Sequence, residues 1–212
     1  MDERSLAVTR RSLHGVAELV LAGPQYRQGG GIRLRVVPGG FGTVNRPDLR
    51  VEGDALITST GSLRLAGSYA ELAAAAGVEP SRLDDVYSGG PKVGVNEQIE
   101  IDPVAARLLE DAFARGDAAL RAFAAGEAPV LWPEHFDVGI TVDKINYGVS
   151  PGDDAISEPY AYVGPWTPRT GDFWNAPFGA ARLIADLSDA PGITDFFTTG
   201  RTLAASGPSA DN

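Results

Sequence analysis

The stretch LWPEHFDVGITVDKINYGVSPGDDAISEPYAYVGPW, residues 131–166, contains three runs that are typical of short β-strands. FDVGITVD, KINYGVS and YAYVGP are rich in β-branched and aromatic side chains, which favour the pleated surface of a sheet. Ser150-Pro151-Gly152-Asp153 supplies turn residues between the second run and the third. The stretch therefore predicts sequential strands in the C-terminal half of the chain.

Similar strands are predicted in the N-terminal half. IRLRVV (32–37) alternates apolar and charged residues, and the turn residues Pro38-Gly39-Gly40 close it. LRVEGDALITS (49–59) continues this pattern around a turn or bulge at Gly53-Asp54, and SLRLAG (62–67) adds another short strand. Short alternating strands that are separated by tight turns indicate an antiparallel sheet.

Two helices are predicted before the middle of the chain. Residues 5–22 place their apolar side chains on one stripe, and Gly23-Pro24 is expected to end this helix. In SYAELAAAAGVEP (68–80), Ser68 and Glu71 have the spacing of a capping box, and Gly77 is suited to the C-terminal end.

Further helices are predicted on both sides of the C-terminal strands. Asp102-Pro103 has the residues that begin a helix, Gly116-Asp117 is a candidate break in it, and Gly126 ends it. ITDFFTTGRTLA (193–204) is predicted as the last helix, whereas ARLIADL (181–187) fits either a helix or a strand.

The order of these elements predicts an α+β fold. Strands lie before and after the central helices, so we expect a mostly antiparallel sheet of short strands, packed with the N-terminal helix and the central helices. No internal repeat or composition change divides the chain. We therefore predict a single domain over residues 1–206 and a flexible tail over residues 207–212.

Composition restricts the classes of partner. The chain of 212 residues has a formal net charge of −10, which disfavours nucleic acid and anionic lipid as partners. It contains no cysteine, and no apolar run is long enough for a signal peptide or a membrane span. These features predict a soluble, cytoplasmic protein without a nucleic-acid or membrane partner. No residue pattern specifies a cofactor or an oligomeric state.

Sequence motifs for nucleotide, serine and metal chemistry are missing. GGGIRLRVVPGGFGT lacks the GK[ST] end of a P-loop, GGPKVG has a lysine but no helix start at the right distance, and G-x-S-x-G does not occur. His14, Glu18 and His135 would form a zinc or iron site only if the fold brought them together, and no local spacing supports this. We therefore predict no metal site.

The two histidines are the candidate catalytic groups. On a strand, His135 and Asp137 would point to the same side, which could orient the imidazole for general acid or base catalysis or form a structural pair. His14 shares a helix face with Arg10 and Glu18, so it is either a surface hydrogen-bonding partner or a histidine in a cleft.

Aromatic residues are dense between positions 132 and 178, where they suit either core packing or a pocket. Together with the histidines, they predict a small-molecule pocket. The hypothesis of an enzyme uses His135, Asp137 and His14 as catalytic groups, with Tyr160 as a donor. The alternative is a non-catalytic module that binds a ligand or a protein through the aromatic surface of residues 131–178. The expected ligand-binding residues are Glu18, Tyr147, Glu158, Tyr160 and Trp166.

Three boxes in the opening stretch carry a resemblance. Trp132-Pro133-Glu134-His135-Phe136-Asp137, Ser150-Pro151-Gly152-Asp153 and the run EPYAYVGPW (158–166) resemble the boxes W-P-x-H-F-D, S-P-G-D and E-P-Y-x-Y-V-x-P-W. These belong to a family of uncharacterised bacterial proteins of the actinobacterial type. Ser12-Leu13-His14 is similar to the N-terminal helix of that family. The resemblance implies that both histidines belong to a shared pattern, and hence to a common cleft.

Overall fold

The computed structural model describes residues 2–206, so the predicted tail at 207–212 lies outside the described residues. Ten strands form one antiparallel sheet in the order β10-β9-β8-β7-β6-β1-β2-β3-β4-β5. The strands are β1 (Leu34–Val37), β2 (Gly40–Thr43), β3 (Arg50–Glu52), β4 (Ala55–Thr58), β5 (Gly61–Arg64), β6 (Val130–Trp132), β7 (Asp137–Val142), β8 (Ile145–Ser150), β9 (Tyr160–Pro165) and β10 (Ala180–Leu183). The predicted α+β fold with an antiparallel sheet is confirmed.

The helices lie against this sheet. They are α1 (Glu3–Val16), a π-helical segment (Ala17–Ala22), α2 (Gly23–Arg27), α3 (Tyr69–Ala75), α4 (Pro103–Phe123) and α5 (Ala190–Ser206), with a 3-10 turn at Ile184–Asp186. Helix α4 packs on β1, β2, β7 and β8, while α1 packs on α4 and α5 packs on β9. Within residues 2–206, no helix is both long and apolar enough to cross a membrane.

The two predicted helix starts form as expected. Ser68 accepts a hydrogen bond from the Glu71 main chain, and the Glu71 carboxylate accepts one from the Ser68 amide, so the capping box is complete. The Asp102 carboxylate accepts from the amides of Val104 and Ala105 at the start of α4. These local hydrogen bonds set where α3 and α4 begin.

The predicted end of the first helix at Gly23-Pro24 is wrong, because the helical path continues to Arg27. Proline normally ends a helix because it has no N–H for the carbonyl one turn earlier. In the π-helical register that carbonyl belongs to Leu19, and it accepts a hydrogen bond from the Ser81 amide instead. Ser81 approaches so closely that a Cβ at position 23 would overlap its carbonyl group. A tertiary contact therefore satisfies the group that Pro24 leaves free.

The candidate break at Gly116-Asp117 does not occur, and α4 runs unbroken over 21 residues. Gly116 faces the sheet, where a Cβ would lie 2.8 Å from Val149 and 3.1 Å from Val138. The glycine lets α4 approach β7 and β8 closely, so its role is packing. The segment ARLIADL, which fitted a helix or a strand, begins as β10 and continues into the 3-10 turn.

Strand β2 was not predicted, because Pro38-Gly39-Gly40 was interpreted only as the end of β1. Gly39 has φ of +76° and turns the chain directly into β2. Position 40 accommodates only glycine, because a Cβ there would overlap the carbonyl group of Val51 on β3. A glycine-rich segment can therefore be a strand when a neighbouring strand approaches closely.

Glu110 is a buried carboxyl on the inner face of α4, and one of its oxygens has no hydrogen-bond partner among residues 2–206. Burial raises the pKa of Glu110 to about 7. The folded state therefore retains a proton that the unfolded state loses near pH 4.5, so stability falls as the pH rises from about 4.5 to about 7. We expect Glu110→Gln to unfold like the parent at pH 4 and to be more stable by about 1–2 kcal/mol at pH 8, allowing for partial solvation of the carboxyl.

Urea unfolding across this pH range measures the effect. The exposed Glu79 is the matched control, and Glu79→Gln should follow the parent at every pH. Equal stability of Glu110→Gln and the parent at pH 8 would show that the Glu110 carboxyl is ionised in the folded state without cost.

Candidate functional site

The sheet has one face covered by helices and one face free of them around β6 to β9. In β7, Val138 and Ile140 belong to the core, so Asp137, Gly139 and Thr141 point to the other face. We call this the outer face. Strand pairing adds further residues to it, because directly opposed residues share a face. The outer-face pairs are Trp132 with Asp137, Gly139 with Gly148, Thr141 with Asn146, Gly148 with Tyr162, Ser150 with Tyr160, and Asn146 with Gly164.

Two cavities on the outer face meet at four shared residues, His135, Asp137, Asn146 and Tyr162. The first cavity, of about 530 Å³, includes Arg33, Trp132 and Glu134, and we call it the arginine end. The second, of about 620 Å³, is the aromatic end; its further lining residues include Asp153, Tyr160, Trp166 and Phe178. We call the two cavities together the outer groove. Volumes of this size accommodate small organic ligands.

Asp137 and Tyr162 form the centre of the outer groove. The Tyr162 hydroxyl donates a hydrogen bond to Oδ2 of Asp137. The ring can reach across two strands only because the positions beneath it are glycines. A Cβ at Gly139 would lie 2.9 Å from the hydroxyl, and one at Gly148 would overlap the ring. The pair of glycines therefore seats the tyrosine that holds the Asp137 carboxyl.

The other carboxyl oxygen of Asp137, Oδ1, is buried and has no hydrogen-bond partner within residues 2–206. Only 8% of the surface of Asp137 is exposed, and the residue lines both cavities. Burial raises the pKa of Asp137, while the hydrogen bond from Tyr162 and the nearby His135 act in the opposite direction. A buried acceptor without a donor costs about 1–3 kcal/mol.

Asp153 and Tyr160 form a second pair at the aromatic end. The Tyr160 hydroxyl donates to Oδ2 of Asp153 over 2.6 Å, and the amides of Ala155 and Ile156 donate to Oδ1. Burial opposes ionisation of Asp153, but these hydrogen bonds lower the pKa of Asp153 overall. Oδ1 of Asp153 thus serves the predicted turn at Ser150-Pro151-Gly152-Asp153, while Asp153 also lines the aromatic end of the groove.

The predicted meeting of His14 and His135 in one cleft is wrong. His135 lies on the exposed turn before β7 and lines both ends of the groove. His14 lies on the helical side, where its ring stacks on Phe136 at 5.2 Å and its Nε2 is 2.7 Å from the Pro133 carbonyl oxygen. Burial lowers the pKa of His14 to about 4, so its imidazole is neutral at pH 7. His14 is half-buried beside Phe136 and lines neither cavity of the outer groove.

Three other predicted ligand-binding residues also lie away from the groove. Tyr147 points into the core against Phe123, at 4.6 Å, because it is one position out of phase with Asn146 and Gly148. Glu18 is buried and accepts a hydrogen bond from the Tyr87 hydroxyl. Glu158 is exposed just before β9 and is not among the groove residues. Tyr160 and Trp166, by contrast, line the aromatic end together with His135 and Asp137.

Asp137 does not orient His135 in this structure, because its hydrogen-bond donor is Tyr162. The individually predicted catalytic and ligand-binding residues did not include Tyr162, Asn146 or Phe178, although Tyr162 and Phe178 belong to the predicted aromatic surface of residues 131–178. A usable signal was present for Tyr162, which lies two residues after Tyr160 on the same strand and therefore shares its face. No sequence signal linked Tyr162 to the glycines of β7 and β8, because that contact depends on strand register.

Within residues 2–206, no group of three or more histidine, aspartate or glutamate side chains is arranged to hold a metal ion. Comparisons with models of known protein families, with curated proteins and with solved structures find no match. The fold and the groove therefore define the class of this chain on their own. It is an α+β protein whose ten-stranded antiparallel sheet carries a polar and aromatic groove on its helix-free face.

Proposed function

We propose that this chain binds a small organic molecule in the outer groove. The observation that carries the proposal is the carboxyl of Asp137, which lies where the two cavities meet and whose buried Oδ1 has no hydrogen-bond partner within residues 2–206. Buried polar atoms in folded proteins nearly always have a hydrogen-bond partner, and exceptions concentrate at functional sites and at bound water. Tyr162 and two glycines hold this carboxyl in place, as expected for a preorganised binding group.

Exposed aromatic rings beside this carboxyl also support small-molecule binding. Trp166 is 63% exposed and Phe178 is 42% exposed, and both line the aromatic end. The Trp166 indole donates to Oδ1 of Asn146 over 3.2 Å, so its ring is held at the groove. Between positions 131 and 178, these are the two large hydrophobic residues that are exposed. Two rings favour a small ligand over a protein partner, whose interface needs about 800 Å² per side.

Catalysis by His135 stays a prediction, as do the cytoplasmic location, the absence of nucleic-acid partners and the resemblance to the bacterial family. His135 lines the groove and is exposed, so a bound ligand would reach its imidazole. Its orientation by Asp137 would require the carboxyl to exchange its bond with Tyr162 or to use Oδ1 as well.

Blocking the groove tests the proposal. Asn146 is exposed at the centre of the groove, so Asn146→Trp fills it with little change to the core. We expect ligand-observed NMR with a library of neutral, cationic and anionic fragments to find compounds that bind the parent. These compounds should bind Asn146→Trp at least about tenfold more weakly, as expected when a ligand loses its main contact surface.

Thr198→Trp is the matched control, because Thr198 is exposed on α5, away from the groove. It should bind the same fragments as the parent. Thermal unfolding shows whether Asn146→Trp is folded, and Trp166→Leu provides a second groove variant. The proposal fails if no fragment binds the parent at millimolar concentration, or if the fragments bind both groove variants as tightly as the parent.

A further inference from the structure

The aromatic end of the outer groove is acidic. Asp137 and Asp153 both line it, and among its described lining residues there is no lysine or arginine. The guanidinium of Arg10 donates to the main-chain oxygens of Ser157 and Asp153 and lowers the pKa of Asp153, but Arg10 is not among the residues that line this end. The only basic side chain in the lining is therefore His135. A ligand that carries positive charge would be attracted to this end of the groove.

The unpaired Oδ1 of Asp137 adds a requirement for a donor. An acceptor oxygen is satisfied only by an N–H or O–H group of the ligand. Burial raises the pKa of Asp137, and an ammonium group would favour the ionised form of its carboxyl, which a neutral hydroxyl would not. Tyr162 already donates to Oδ2, so Oδ1 is the carboxyl oxygen without a donor among residues 2–206.

The wall next to Asp137 suits an apolar body. Tyr160 and Tyr162 lie with ring centroids 6.5 Å apart, and Phe178 lies 6.1 Å from Tyr160 and 6.4 Å from Tyr162. These three rings contact one another, so they form a continuous aromatic wall, with Trp166 further along the same cavity. An aliphatic or aromatic group would bury its surface against this wall, and aromatic faces also attract cations.

We propose that the outer groove binds a primary ammonium compound with an apolar body, with the ammonium donating to the carboxylate of Asp137 and the body packed against Phe178 and Trp166. This inference rests on the proposed function and adds the chemical class of the ligand. It assigns Asp137 the role of the charge-recognising group and Tyr162 the role of positioning it.

Four probes that share a 2-phenylethyl group test the proposal by calorimetry. 2-Phenylethylamine is the cationic donor, 2-phenylethanol is its neutral analogue, and 3-phenylpropanoate is the anionic one. The N,N,N-trimethyl derivative of 2-phenylethylamine keeps the charge and loses every N–H. We expect 2-phenylethylamine to bind the parent about 10- to 100-fold more tightly than each of the other three, which is the range for a hydrogen bond between charged groups.

Two carboxylate variants locate the recognition. Asp137→Asn removes the carboxylate with little change of shape, and it should weaken the binding of 2-phenylethylamine by about 10- to 100-fold. Asp143→Asn is the matched control, because Asp143 lies on the turn after β7 and pairs with Arg201 outside the groove. It should bind the probe like the parent.

The outcomes separate this inference from the proposed function. Equal binding of the neutral, anionic or trimethylated probe to the parent overturns the ammonium assignment, while the groove remains a ligand site. If fragments bind the parent but 2-phenylethylamine does not, the ammonium assignment is likewise overturned and the groove remains a ligand site. If neither the fragments nor any of the four probes bind, the proposed function itself fails. The comparison of probes on the parent does not depend on how well Asp137→Asn folds.

Discussion

Phe136→Ala should lower the free energy of unfolding by about 3–5 kcal/mol, the range for truncating a fully buried phenylalanine. Phe136 is fully buried, between the helices and the β6–β7 turn. Its ring stacks on His14 at 5.2 Å and meets Phe113 at 5.1 Å and Phe41 at 5.3 Å in edge contacts. One side chain thus joins α1, α4, β2 and the turn that carries His135, and its removal leaves a cavity that these elements cannot all close.

Phe136 also has a backbone φ of +54°, a conformation that is unfavourable for a bulky residue. Alanine keeps that cost and loses the packing, so strain relief does not offset the cavity. Glycine adopts this conformation freely, and Phe136→Gly should be no less stable than Phe136→Ala although it is smaller. A loss of stability on going from alanine to glycine would show that the turn changes conformation in the variants.

Denaturant unfolding measures both variants, and the melting temperature of Phe136→Ala should fall by about 10 °C for a protein of this length. Phe178→Ala is the matched control, because Phe178 is 42% exposed on the outer face. Phe178→Ala should lower the free energy of unfolding by much less than Phe136→Ala. A cost below about 1 kcal/mol for Phe136→Ala would contradict a central role in the core.

Gln25→Leu should cost about 3–4 kcal/mol, through the loss of hydrogen bonds with almost no change of volume. Gln25 is fully buried at the end of the first helical stretch. Its Nε2 donates to the carbonyls of Gly31 at 2.7 Å and Arg33 at 2.9 Å. Its Oε1 accepts from the amides of Val44 and Asn45, both at 2.8 Å. Leucine would leave these two carbonyls and two amides without the hydrogen bonds that the Gln25 side chain makes.

Gln25→Glu separates donors from acceptors, because a carboxylate accepts from the two amides but turns negative oxygens toward the two carbonyls. It should be strongly destabilised at pH 8, and the loss should shrink at acidic pH, where a protonated carboxyl can donate one hydrogen bond. Gln28→Leu is the control, since Gln28 is exposed one turn later. Urea unfolding that shows equal stability for Gln25→Leu and Gln28→Leu would mean that water replaces the lost bonds.

Gln25 shows why part of the fold could not be predicted from sequence. The side chain lies in a segment that local rules assign to the region after a helix end, and its four partners come from residues 31–45. Helix starts were predictable because a capping side chain and the amides that donate to it lie within three residues of each other. The continuation through Pro24 was not, because it depends on Ser81, which is distant in sequence.

The candidate site shows the same division. The alternation of YAYVGP correctly places Tyr160 and Tyr162 on one face, and that of FDVGITVD places Asp137 with Gly139. Tyr147 was assigned to the same pocket, but pairing of Gly148 with Tyr162 turns Tyr147 to the core. The register between strands decides this, and a shift of one residue would exchange the two faces.

By itself, the sequence determined the α+β class, the antiparallel strands and the starts of α3 and α4, because these follow from the period of apolar residues and from hydrogen bonds between near neighbours. Only the tertiary structure decided that His14 packs against Phe136 on the helical side and that His135 lines the groove. It also decided that Tyr162, seated on Gly139 and Gly148, holds Asp137. Periodicity tells which side chains share a face, whereas the packing of helices on the sheet determines which face they cover.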